Sequence, residues 1–241
     1  MSKFKKNLRM FFKGSFKERT YVKNRLSMLG NFTTAIFKML FGVFTNSIFF
    51  CISAFYSMGI GYAKQTYIRG FAKGKGYKYV NRYYLKMAQI LIASSAIYVL
   101  YMVRLLFIDD RFVYNKFAAI GLSVIAFGDL YFSIYGFVKS KKLNDLLLSG
   151  LKGVYLASSF PAIVLAQVAV LSFQEQKPYY NTLNAISGIA FGTFSALIGF
   201  LMLLKYYRTR DQYLKTDRDF ETFENTFDMD EVQASEEDKN E

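Results

Sequence analysis

The sequence predicts an all-α integral membrane protein: six transmembrane helices, both termini in the cytoplasm, the first two helices a tight hairpin. Three observations predict it. Hydrophobic residues make up 53% of the 241 and gather into long blocks almost free of charge, the pattern of bilayer spans rather than of a water-soluble core. The first block, Leu26–Ala63, is too long for one crossing of about 20 residues and just long enough for two. Finally, all Lys/Arg-rich stretches fall on one side of the membrane only if that block crosses and returns, and Lys and Arg near span ends prefer the cytoplasm.

Residues 1–25 are basic and aromatic. The charged stretch is too long for a signal-peptide leader, and no small-residue cleavage site follows. It reads either as an amphipathic segment on the inner leaflet or as a solvated tail that sets topology. The spans follow at about 26–45 and 47–66, with Thr45-Asn46-Ser47 as the turn between them. The stretch Lys64–Lys86 holds seven Lys/Arg and no acid. Lys64, Arg69, Lys73, Lys75, Lys78 and Arg82 are therefore expected to contact anionic lipid headgroups. Further spans are expected at 87–108, 113–138, 146–173 and 183–206, which makes 26–206 a six-helix domain. The remainder, 207–241, turns from basic to acidic. Residues 217–241 carry 11 of the 18 acidic side chains, and this tail is expected to be disordered.

Composition excludes several classes. The single Cys51 rules out an internal disulfide framework. The absence of His removes Ser-His-Asp hydrolysis, His-ligated zinc and His phosphorelays. The net charge of +13 does not point to nucleic acid, because the basic residues sit between apolar blocks and suit lipid headgroups better. Gly74-Lys75-Gly76 lacks the spacing of a phosphate loop. Neither a catalytic constellation nor a cofactor is expected.

Four local patterns carry a family resemblance. They are Ala35-Ile36-Phe37-Lys38-Met39-Leu40-Phe41-Gly42 followed by Thr45-Asn46-Ser47; Lys75-Gly76-Tyr77-Lys78; the linker Lys139–Ser149; and Gly188, Gly192 and Gly199 in the last span. In order and spacing they resemble the transmembrane domain of the cation diffusion facilitator family. The resemblance implies six helices with cytoplasmic ends and a homodimer. It also implies a metal site built from an Asp/His/Asp set on helix two and a similar set on helix five. The matching positions are Ser53, Tyr56 and Ile60, then Ser149, Lys152 and Leu156, none of them a carboxylate or imidazole. Only 35 residues follow Tyr206, too few for the family's cytoplasmic metal-binding domain. The expectation is a degenerate scaffold without a zinc site.

Ionisable groups inside spans are costly and mark candidate sites. Lys38 lies near the middle of the first span and Asp129 well inside the fourth. They read as an ion pair that fixes packing, or as part of an ion- or proton-coupled pathway. With Ser53, Tyr56, Ser149 and Lys152 they form the expected intramembrane polar site. Pro161 is expected to kink the fifth span, because it removes one backbone hydrogen bond. The functional expectation is a non-enzymatic multi-pass protein of the cytoplasmic membrane with a structural or regulatory role. The alternative is a transporter of a monovalent ion or small non-metal solute, coupled through Asp129 and Lys38.

Overall fold

The computed structural model describes residues 16–44, 47–72, 77–107, 116–141, 145–171 and 182–210; a few side chains within these ranges, Asp129 among them, lie outside the description. Six helices account for nearly all of it: α1 (Phe16–Phe44), α2 (Ile48–Ala72), α3 (Tyr77–Leu105), α4 (Lys116–Lys141), α5 (Leu146–Leu171) and α6 (Thr182–Arg210). There is no strand among the described residues. Four helices, α1, α3, α5 and α6, are long and apolar enough to cross a membrane. The chain is therefore an all-α protein of membrane type. It divides into two compact units, residues 1–203 and 204–241, and the packing below belongs to the first.

Local chemistry sets the boundaries. The Ser47 amide donates to the Gly42 carbonyl at 2.8 Å, the six-residue bond that closes a helix end of Schellman type. The Ser47 hydroxyl then accepts from the Phe50 amide at 3.5 Å, in the manner of an N-cap. One serine thus ends α1 and starts α2. At α5, Asp145 Oδ1 accepts from the Leu148 amide at 2.9 Å and caps that helix in the same way.

Helices α1 and α2 pack antiparallel. Asn24 meets Lys64, Lys38 meets Ser57, and Gly42 faces Cys51, so one number falls as the other rises. Helix α5 packs on α2, α3 and α4. It runs opposite to α2, with Tyr56 bonded to Ala157 and Gly70 beside Leu147. Helix α6 lies on α3 through Gly188, Gly192 and Gly199, where an added Cβ would stand 2.4, 2.6 and 2.7 Å from Met102, Val99 and Ile92. Small residues allow this closeness between helices that share no hydrophobic driving force in lipid.

The helices outrun the expected spans. Helix α1 starts at Phe16, ten residues ahead of the expected span, and α2 and α3 together cover most of 64–86. Within that expected loop, residues 73–76 lie outside the described residues. Packing extends the helices: Thr66, Tyr67 and Gly70 are buried, and Gly70 leaves only 3.0 Å between its virtual Cβ and Tyr83.

Candidate functional site

Helix α1 carries Thr20, Lys23, Ser27, Asn31, Thr34 and Lys38 at steps of three and four residues. That spacing places them on one face of a helix. The stripe runs 18 residues, about 27 Å at 1.5 Å per residue, close to the thickness of a bilayer's hydrocarbon core. The opposite face presents Leu26, Leu29, Ile36, Phe37 and Leu40, all exposed, as expected of a surface that meets lipid.

The polar stripe lines two cavities. The deep one, about 180 Å³, is bounded by Asn31, Thr34 and Lys38 from α1, by Tyr56 and Ser57 from α2, by Ala126 from α4 and by Ser158 and Pro161 from α5. The other, about 620 Å³, is bounded by Thr20, Lys23 and Ser27 from α1, by Tyr131, Phe132, Ser133, Tyr135 and Gly136 of α4, and by Lys152 and Tyr155 of α5. The larger lies between α1 and α4, and the deeper one is walled mainly by α1, α2 and α5, with Ala126 from α4. Helix α1 packs on α2 and α4 packs on α5, whereas α1 and α4 form no extended contact among the described residues.

Lys64 marks the boundary between the cavities. Its ammonium donates to Ser27 Oγ and to Asn31 Oδ1, each at 2.8 Å. Ser27 lines the larger cavity and Asn31 the deeper one. The Tyr155 ring lies 4.2 Å from the same ammonium, within cation–π range. Asn24 completes the arrangement: its amide donates to the Lys64 carbonyl at 2.9 Å, and its oxygen accepts from the Tyr155 hydroxyl at 3.2 Å. The headgroup expectation for Lys64 is corrected here. The residue is only 2% exposed, because α2 continues as a helix and turns this side chain inward between α1 and α5.

In the deep cavity, Lys38 donates to Ser53 Oγ at 2.9 Å and to Ser57 Oγ at 3.1 Å. These hydroxyls offset part of the cost of burying an ammonium. Tyr56 serves a different purpose. Pro161 has no amide proton, so the Ala157 carbonyl one turn earlier loses its helical partner. The Tyr56 hydroxyl donates to that carbonyl at 2.9 Å. It also bonds Ser195 at 2.7 Å, and Ser195 bonds Ser95 at 2.8 Å. The network ties α2, α3, α5 and α6 together around the gap that proline leaves.

The expected polar site therefore divides. Lys38, Ser53 and Tyr56 meet at one level. Ser149 and Lys152 lie at the start of α5, with Ser149 in its first turn, bonded by its amide to the Asp145 carbonyl at 2.9 Å. Ser149 is eight residues from Ala157, about 12 Å along the helix. The structure does not bring the helix-two and helix-five positions into one cluster. The Asp129 side chain lies outside the described residues, although Ala126, one turn before it, lines the deep cavity. Arg69 and Arg82 are exposed; Lys73, Lys75 and the Lys78 side chain fall outside the description. The stripe on α1, Lys64 as its partner and the Ser95–Ser195 pair were not foreseen. The stripe was visible in principle as polar residues at a period of about 3.5 within an apolar block.

Fold and site together define a helical protein of membrane type with a cationic polar seam in its bundle. No family, curated protein or solved structure matches the chain.

Proposed function

We propose that the chain is a six-span protein of the cytoplasmic membrane with both termini inside, and that its polar seam admits a non-metal solute or monovalent ion without catalysis. One observation carries this reading: a stripe of polar and basic side chains runs along α1 from Thr20 to Lys38 and lines two successive cavities. A helix that only filled space in a bilayer would gain nothing from that pattern, since each buried polar group costs free energy unless it is satisfied. The distribution of Lys and Arg supports the topology. The second reading is a degenerate cation-diffusion-facilitator-like scaffold with a packing or regulatory role. It draws on the Tyr56–Ser195–Ser95 network, which serves helix association.

Thiol labelling separates the two. In a Cys51→Ala background, Ser27→Cys, Asn31→Cys and Thr34→Cys are compared with Leu29→Cys, Ile36→Cys and Leu40→Cys, using a membrane-impermeant reagent. Labelling that follows the polar stripe and spares the apolar face supports the seam. Absence of labelling on both faces leaves the scaffold. In the same background, Asn46→Cys is expected to label from outside and Lys75→Cys from the cytoplasm.

A further inference from the structure

The larger cavity carries a more specific message than wet space. We propose that it binds the phosphate headgroup of one anionic phospholipid from the cytoplasmic leaflet, entering sideways between α1 and α4. The inference rests on the topology proposed above and names the solute class that the inner half of the seam takes.

Charge comes first. Lys23 of α1 and Lys152 of α5 both line the cavity, and Lys64 is buried behind Ser27 and Tyr155, outside the lining. Two ammonium groups thus face the space, and no Asp or Glu is among its described lining residues. Glu18 of α1 and Asp145, the cap of α5, lie outside this lining, and the Asp129 side chain of α4 lies outside the described residues. Two cations and the hydroxyls of Thr20 and Ser27 suit a phosphate oxyanion, which accepts several short charge-assisted hydrogen bonds.

Depth and shape decide what carries that phosphate. With α1 entering the bilayer near Leu26, Lys23 lies at the level of the headgroups and Ser27 just beneath. Lys152 is six residues into α5, about 9 Å along it, and its long stem suits the same interfacial zone. The volume of about 620 Å³ falls within the usual range for a small-ligand pocket. The outer wall is aromatic. Tyr131, Phe132 and Tyr135 of α4 are all more than half exposed while lining the cavity, so the same side chains face the pocket and the surrounding lipid. A free anion has no use for that wall. A phospholipid does: its phosphate reaches the lysines while its acyl chains stay between α1 and α4, where the helices do not close.

The chain contains no Trp, which provides a clean reporter. Phe132→Trp places a single indole at the cavity wall, and Leu26→Trp places one on the lipid-facing side of α1, at the level of Ser27. Each full-length variant is reconstituted in phosphatidylcholine vesicles containing brominated-tail phosphatidylglycerol or brominated-tail phosphatidylcholine. Quenching measures which lipid sits beside the indole. The expected result is a preference for phosphatidylglycerol at the Phe132→Trp reporter at least fivefold greater than at the Leu26→Trp reporter. That preference should fall to the control level in Lys23→Gln/Lys152→Gln and persist in Lys152→Arg. Should the double variant fail to fold, Lys23→Gln alone is expected to lower it by at least half. Equal preference at the two reporters overturns the proposal, because generic attraction to a basic protein then explains everything. Complete displacement by millimolar inorganic phosphate also overturns it, by assigning the site to a soluble anion. Stripe labelling without lipid preference removes this inference and spares the seam; loss of stripe labelling removes the seam itself.

Discussion

The two sides of the bundle are built by opposite rules. Where α3 meets α6, glycines bring the helices so close that a single added methyl would collide with Met102, Val99 or Ile92. Where α1 faces α4, the helices stay apart, and polar side chains line two cavities. One side is closed by removing side chains, the other held open by adding polar ones. Hydrophobic residues gain little by meeting each other in lipid, so an open gap carries a smaller penalty there than in a water-soluble core. On the proposed reading the α1–α4 side is the working side and the α3–α6 side its frame.

The largest expected effect tests the frame. Gly192→Ala and Gly199→Ala each place a Cβ well inside contact distance of a stiff β-branched neighbour, Val99 or Ile92. Overpacking of that degree costs about 1–3 kcal/mol per site. Thermal unfolding of the detergent-purified protein should show both losses, and unchanged melting would mean that α6 does not seat on α3 as described. Next comes the Tyr56 hydroxyl. Tyr56→Phe strips the partner from the Ala157 carbonyl, and an orphaned buried acceptor costs about 1–3 kcal/mol. The coupling is specific: in a Pro161→Ala background the helix amide can take over that carbonyl, so Tyr56→Phe should cost clearly less there. A double-mutant cycle with no interaction energy would dissociate Tyr56 from the proline gap.

These predictions concern features only partly legible in the sequence. The break between α1 and α2 could be read because Ser47 has the chemistry of a cap and sits between two apolar runs. Pro161 could be read as a lost hydrogen bond. What the local sequence does not reveal is the donor of the repair, since Tyr56 and Ala157 are 101 positions apart and only tertiary packing brings them together. Lys64 was misplaced for a related reason. A lysine at the end of an apolar block ordinarily reaches headgroups, and nothing local says that its helix continues to Ala72 and buries it. Lys38 and Ser53 were singled out together, but as members of a site with Ser149 and Lys152, which lie at another level of α5. The stripe on α1 has a purely local signature, a polar residue every three or four positions, but charge alone does not reveal it because four of its six residues are uncharged.

A smaller effect is expected at Lys38, where the two readings of the seam separate. Lys38→Met replaces an ammonium held by two serine hydroxyls with an apolar chain of similar length. Exchanging buried polar groups for well-packed apolar ones is often neutral or stabilising, so stability should stay within about 1 kcal/mol. Labelling at Thr34→Cys should fall, because the deep cavity loses its cation. A loss of about 3–5 kcal/mol, restored by adding Asp129→Asn, would instead identify a buried ion pair.

The smallest expected effect completes the contrast. Gly30 on α1 and Gly128 on α4 have no atom within 4 Å of an added Cβ, so neither serves close packing. Ala in place of Gly favours a helix by up to about 1 kcal/mol. Gly30→Ala and Gly128→Ala should therefore leave melting unchanged or raise it slightly, although the same exchange at Gly192 and Gly199 lowers it. The identical chemical change, tried on both sides, then reads out the architecture directly. If all four substitutions destabilise alike, α1 and α4 approach one another in the membrane, and the lateral opening closes.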